Sequence, residues 1–288
     1  FYQARAKAEG AHLLIVNHAL LLADLATQSR VLPEYEVLIV DEAHHLERAT
    51  TDSMHYQVAW PDLDRAFGVL LRSGRSYDAL LNQLLQIGRT LEPGVGARIH
   101  EEVHHLQELG RGVQRSLDAL FADTEGYLND KAGRGGGYGT RMRMVDEYRQ
   151  DPDWDQIYIN WTRLEPDFDR FAERLSRLSR GLEDLTEVDV PVLESLRVRL
   201  VGLSRILGES HGQLDHFIRR PERNAIYWLA TRRNRAMSFN VAPLNAGPMI
   251  KQHLFDEKRS VILTSATLRV EGGFDYMRDR LGAYEVDE

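Results

Sequence analysis

Val37-Leu38-Ile39-Val40-Asp41-Glu42-Ala43-His44 is the stretch on which the fold of this chain turns. Four aliphatic residues follow one another without a polar alternation, the pattern of a parallel-sheet strand covered on both faces. The carboxylates of Asp41 and Glu42 then fall at the carboxyl edge of that strand, where open α/β sheets bind their ligands.

Two more segments read the same way. Val261-Ile262-Leu263 enters Thr264-Ser265. Leu13-Leu14-Ile15-Val16 leads through Asn17-His18 into the helical pattern Ala19 to Leu25. Strand then helix, repeated, predicts an α/β unit.

The middle differs. From about Trp60 to Arg220 there are few strand-like runs, and apolar residues recur at helical spacing. Phe168, Phe171, Leu175, Leu178, Leu182 and Leu185 share one helix face. Leu193, Leu196, Leu200, Leu203, Leu207, Leu214 and Phe217 form a second seam, with turn chemistry at Asp189-Val190-Pro191 between the two. Ile99, Val103, Leu106, Val113, Leu117 and Leu120 form a third, with Gly110 in the missing slot. Three long helices packed on a shared core are expected. Gly133-Arg134-Gly135-Gly136-Gly137-Tyr138-Gly139 reads as a loop, since no buried strand precedes it and no Lys-Ser or Lys-Thr closes it as a phosphate loop requires.

Two adjacent carboxylates at a strand end can divide labour. One holds a hydrated magnesium ion and the next reaches the water that attacks a γ-phosphate. An acidic pair in this position also caps helices. The specified tetrapeptide Asp41-Glu42-Ala43-His44 arises by chance at a given position on the order of once in 10⁵, and here it follows a buried-strand pattern, which favours chemistry over capping.

Val40-Asp41-Glu42-Ala43-His44 together with Thr264-Ser265-Ala266-Thr267-Leu268 resembles motifs II and III of superfamily 2 helicases. A long helical segment separates the two motifs, which is similar to the XPD/DinG branch, where an arch domain is inserted at this point. Ala11-His12-Leu13-Leu14-Ile15-Val16-Asn17-His18-Ala19-Leu20-Leu21 looks like the segment that precedes motif II in that branch. Ala242-Pro243-Leu244 leading to Leu254-Phe255 looks like the approach to motif III.

The resemblance implies an α/β fold: a partial RecA-like parallel sheet built from both chain ends, with a large, mostly α-helical, arch-like insertion. Residues 1–59 and 221–288 would form part of motor domain 1, and 60–220 the insertion. It further implies an ATP-dependent DNA helicase, with 5′ to 3′ movement on single-stranded DNA. Asp41 would bind Mg2+ through water, Glu42 and His44 would complete the catalytic motif, and Thr264, Ser265, Ala266 and Thr267 would couple hydrolysis to movement. Members of the branch hold ATP on a Walker A lysine upstream and use arginines of a second motor domain. The chain starts at Phe1 and is expected to be an internal piece, inactive as an ATPase by itself. The resemblance also allows an iron–sulfur cluster in the whole protein; its cysteines would lie outside these 288 residues, which contain none.

Asn17, His18, Arg232, Arg233 and Arg235 are candidate DNA contacts. The arginines belong to a basic run with Arg219, Arg220 and Arg223, interleaved with Tyr227 and Trp228, and arginines with aromatics hold phosphates and stack bases. Core aromatics with arginines paired to carboxylates are the plainer reading of the same residues. His100, His104 and His105 do not follow the His-Glu-x-x-His order and are expected on a solvated helix face.

Composition sets the outer bounds. No apolar run approaches the roughly 20 residues of a membrane span, and the lack of cysteine excludes a disulfide framework or thiolate metal site and fits a reducing cytoplasm. The net charge of −8 argues against indiscriminate nucleic-acid binding and leaves room for a local basic groove. A non-catalytic helical interaction module and an RNA helicase are the alternative functions; the former predicts an exposed apolar stripe on the helices.

Overall fold

The computed structural model describes residues 7–26, 31–74, 78–132, 139–182, 191–231, 236–269 and 273–284. The chain divides into two compact units, one of residues 1–56, 222–226 and 241–288, the other of residues 57–221 and 227–240. It is mixed α/β, with a small parallel sheet, a second sheet and long helices. Among the described residues no helix is long and apolar enough to cross a membrane.

In the first unit, β1 (Val37–Val40) pairs in parallel with β6 (Ser260–Leu263), Val37 opposite Ser260 and Val40 opposite Leu263. The ladder continues past both strands: Arg259 N–H donates to Glu36 O at one end and Thr264 N–H to Val40 O at the other. Helices α1 (His18–Ala26) and α2 (Leu46–Met54) belong to this unit, with the short α9 (Gly247–Ile250) and α10 (Asp275–Leu281). Leu21, Leu22, Leu46, Ile250, Leu254 and Leu281 make their core with Val40.

Two expectations fail here. β1 and β6 are not covered on both faces: Val37, Ile39 and Ile262 are exposed, while Leu38, Val261 and Leu263 turn inward and Val40 is buried. The period of two returns because a single layer of helices covers the pair among the described residues. Nor is Leu13-Leu14-Ile15-Val16 a strand. Residues 11–17 are irregular, with Leu13 76% and Ile15 87% exposed. A run of aliphatics becomes a strand only beside a ladder partner, and among the described residues the parallel sheet consists of β1 and β6.

The second unit is dominated by α5 (Pro93–Ala132), α7 (Pro152–Gly181) and α8 (Pro191–Arg219). α7 packs against both others. The partners run antiparallel: Asn160 reaches Asp123 while Arg174 reaches Glu102, and Trp161 meets Asp215 while Glu165 meets His211. All three seams read from the sequence are buried, except half-buried Leu203 and Leu185, which with Asp189 and Val190 lies outside the described residues. Asp151 caps α7 by accepting from Asp153 N–H with Pro152 in the first turn, and Lys131 at the end of α5 pairs with Asp151 at 2.6 Å. That ion pair joins the end of one long helix to the start of the next. The smaller helices are α3 (Trp60–Leu71), α4 (Leu80–Gly88) and α6 (Asp146–Arg149).

A four-stranded sheet that sequence reasoning missed runs in the order β2-β5-β4-β3. It comprises β2 (Tyr56–Ala59), β3 (Arg141–Arg143), β4 (Ala225–Thr231) and β5 (Met237–Pro243). Its helix-facing side carries Phe239, packed edge-on against Phe121 and Phe217, and Tyr227 against Phe217. Of the Gly-rich loop, residues 133–138 lie outside the described residues; Gly139 has φ 97°, a conformation glycine adopts without strain.

Candidate active site at the ends of β1 and β6

The chain leaves β1 through a sharp turn. Glu42 has φ 50° and ψ 43°, the one left-handed non-glycine among the described residues. This conformation costs an L-residue roughly 1–2 kcal/mol, and hydrogen bonds on either side hold it. Glu42 N–H donates to Asp41 Oδ1 at 3.0 Å, His45 N–H donates to Glu42 O at 2.9 Å, and Ala43 N–H donates to Thr264 O at 3.0 Å. Strain of this kind concentrates at sites where a side chain must be aimed.

Asp41 also accepts from the Thr264 hydroxyl at 2.8 Å, again on Oδ1, which leaves Oδ2 for a ligand. Bonds from Thr264 and from Glu42 N–H favour the ionised form and hold the Asp41 carboxyl below its ordinary range, although the group is exposed. Glu42 Oε2 lies 3.2 Å from His44 Nδ1 and 3.5 Å from Ser265 Oγ, and His44 Nδ1 is 2.7 Å from that same Oγ. Thr267 N–H donates to Ser265 Oγ at 3.2 Å, in the turn that contains Ala266. Residues 223 positions apart therefore meet because β1 and β6 are neighbours in the parallel ladder.

Asp41, Glu42, His44, Thr264, Ser265 and Thr267 thus form one hydrogen-bonded cluster. The candidate DNA contacts fare differently. Asn17 accepts from Leu20 N–H at 2.8 Å and caps α1, and His18 Nε2 lies 2.9 Å from Asp41 O, beside the acidic pair. Arg232, Arg233 and Arg235 lie outside the described residues. Arg219 and Arg220 are paired with buried Asp215, which also accepts from Trp161 Nε1 at 3.1 Å. Burial pushes the Asp215 carboxyl up, but the Arg219 and Trp161 bonds outweigh it and leave a net lowering. Tyr227 is buried and Trp228 half-buried.

Sequence reasoning missed the role of His18 and the left-handed turn at Glu42. The first had no signal, since a bond to a main-chain carbonyl leaves no pattern. The second had a weak one, a charged residue wedged between strand and helix. His100, His104 and His105 are exposed on α5, and among the described residues no group of three or more His, Asp or Glu is arranged to hold a metal ion by itself. The donor set at Asp41 fits a magnesium ion that keeps most of its waters: one ionised, exposed carboxylate with a free oxygen.

No protein-family model matches the chain. Several curated relatives do. The chain is 26% identical over 296 residues to the 3'-5' exonuclease DinG of Bacillus subtilis, a match covering 98% of this chain and 30% of that protein. It is 24% identical to the ATP-dependent DNA helicase DinG of Photobacterium profundum, over 100% of this chain and 40% of the relative. It is 25% identical to the ATP-dependent DNA helicase YoaA of Haemophilus influenzae, over 97% and 36%. The chain thus spans 30% to 40% of the length of these relatives. Its likeness to them covers the helical unit as well as the two motifs, and the chain resembles DinG-type helicases along nearly its whole length.

Proposed function

We propose that this chain is part of an ATP-dependent DNA helicase in which Asp41 and Glu42 serve MgATP hydrolysis. The observation that carries the reading is the cluster just described: an ionised Asp41 and a strained Glu42 at the end of β1, both bonded to residues leaving β6. Names of relatives that match along nearly the whole chain support it. Residues 1–59 and 221–288 are then part of the first motor domain, and 60–220 the arch-like insertion.

Asp41 Oδ2 would hold a hydrated magnesium ion, which when bound neutralises charge on the β- and γ-phosphates. Glu42 would orient the attacking water and accept its proton. His44 and Ser265 fix the Glu42 carboxylate from one side. Thr264 couples the site to β6: any shift of that strand end moves both the hydroxyl on Asp41 Oδ1 and the carbonyl that holds Ala43 N–H. Coupling to movement along single-stranded DNA, 5′ to 3′ by resemblance, belongs to this link. The exonuclease in one relative's name is not assigned to these residues.

The 288 residues contain no Gly-Lys-Ser or Gly-Lys-Thr phosphate loop and are expected to show no MgATP hydrolysis by themselves. In a polypeptide extended to the length of the relatives, Glu42→Gln is expected to lower kcat by about 10²-fold or more with nucleotide binding retained. Unchanged turnover in that variant would remove Glu42 from the chemistry and the helicase reading with it.

A further inference from the structure

We infer that the outward face of the β2-β5-β4-β3 sheet, at Arg141, Arg143 and Trp228, is a contact platform for single-stranded nucleic acid. This inference rests on the DNA-helicase reading but uses residues that neither of the two motifs contains.

Alternation fixes what the face displays. Met142, Tyr227 and Leu229 are buried, with Tyr227 against the helices, so Arg141, Arg143, Trp228 and Ala230 point the other way. Arg143 sits opposite Trp228 in the antiparallel register, and Arg141 opposite Ala230. The Arg141 guanidinium lies over the Trp228 ring, 4.8 Å from its centroid. On the next strand Ser238 and Asn240 are buried, and their side chains donate to the β4 carbonyls of Ala230 and Trp228, so the open part of the face is its β3–β4 edge. The open edge is therefore basic, with a half-buried indole beneath the arginines.

Charge is the second observation. The chain carries a net charge of −8, and several of its arginines are neutralised by carboxylates, as Arg174 by Glu102 and Arg219 by Asp215. Arg141 and Arg143 are exposed, and among the described residues neither has a carboxylate partner. Two arginines on one side of an edge strand have Cα atoms about 7 Å apart, a spacing from which both side chains can reach successive phosphates of an extended strand. A guanidinium over an indole offers a cationic, aromatic surface on which an unstacked base can lie. Duplex DNA presents phosphates but no free base face, so the platform selects the single strand.

The test is fluorescence anisotropy of labelled single-stranded DNA against this chain over a salt series, with duplex DNA as competitor. In Arg141→Glu/Arg143→Glu, affinity is expected to fall about tenfold or more, and the salt slope to fall by about 1.4, the share of two phosphate contacts. Trp228→Leu is expected to weaken binding about fivefold with the slope unchanged. Because the chain has no cysteine, Arg143→Cys gives one thiol for a photocrosslinker and an assay independent of affinity. Crosslinking of DNA there, but not at Glu108→Cys on exposed α5, supports the platform. Wild-type affinity and slope in the double variant overturn it, as does equal preference for duplex. Failure of the unaltered chain to bind single strands also overturns it, while the helicase reading is decided separately by the Glu42→Gln turnover measurement.

Discussion

Glu42 shows how one residue can be set by function against its own backbone preference. Its left-handed φ of 50° suits glycine. Glu42→Gly is therefore expected to hold or raise stability by up to about 1 kcal/mol, while Glu42→Val, β-branched at the same φ, loses more than about 1 kcal/mol. Urea midpoints check both, and a glycine variant clearly less stable than the parent chain would show that the Glu42 side chain, not its backbone, holds the turn. Asp41 gives a titration at the same scale. Its carboxyl is held below the ordinary value of 3.8 by Thr264 and by Glu42 N–H, so these bonds favour the fold above the unfolded value and are lost as pH falls through the lowered one. Thr264→Val is expected to bring the Asp41 midpoint back up toward the ordinary value, read by NMR of the carboxyl carbon; an unmoved midpoint would mean the hydroxyl does not reach Oδ1 in solution.

Among the elements, α5 carries the sharpest contrast. Gly110 fills the slot where its seam skips an apolar residue, and a Cβ there would lie 2.7 Å from Phe171 Cε2 and 3.1 Å from Leu71 Cδ1. The close approach of α5 to α7 needs the missing side chain. Gly110→Ala is expected to lose about 1–3 kcal/mol by overpacking, despite the better helix propensity of alanine. Gly126, in the same helix, has nothing within 4 Å of its Cβ position, and Gly126→Ala is expected to gain about 0.5–1 kcal/mol. Denaturant unfolding of the two variants compares them directly, and equal shifts of one sign would mean that α5 and α7 do not approach at Gly110.

On the scale of the whole molecule, among the described residues the first unit leaves one apolar face of its parallel pair open, with Ile39 63% and Ile262 48% exposed. Parallel strands are ordinarily covered on both faces, and an open aliphatic face drives association. The 288-residue chain is expected to bind a hydrophobic dye and to self-associate at high concentration in sedimentation. Ile39→Thr/Ile262→Thr is expected to reduce both without loss of secondary structure; unchanged behaviour in that variant would place the sticky surface elsewhere.

What the sequence determined by itself follows from local period and local chemistry. The seams of α5, α7 and α8 were legible because helical spacing marks a buried face wherever that face is buried. Asp41 to His44 and Thr264 to Thr267 stood out because each follows an apolar strand pattern and the two together resemble a pair of helicase motifs. Only the tertiary structure brought them together, since the β1 and β6 pairing spans more than 200 residues and no local pattern encodes it. The same holds for the second sheet. Arg141–Arg143 is a three-residue strand without an apolar run of its own, and it becomes a strand because β4 offers hydrogen-bond partners. Leu13 to Val16 is the converse: a strand-like sequence that stays irregular because no described ladder meets it. His18 belongs with these cases, because a bond to the Asp41 carbonyl depends on where α1 comes to rest and not on which residues flank it.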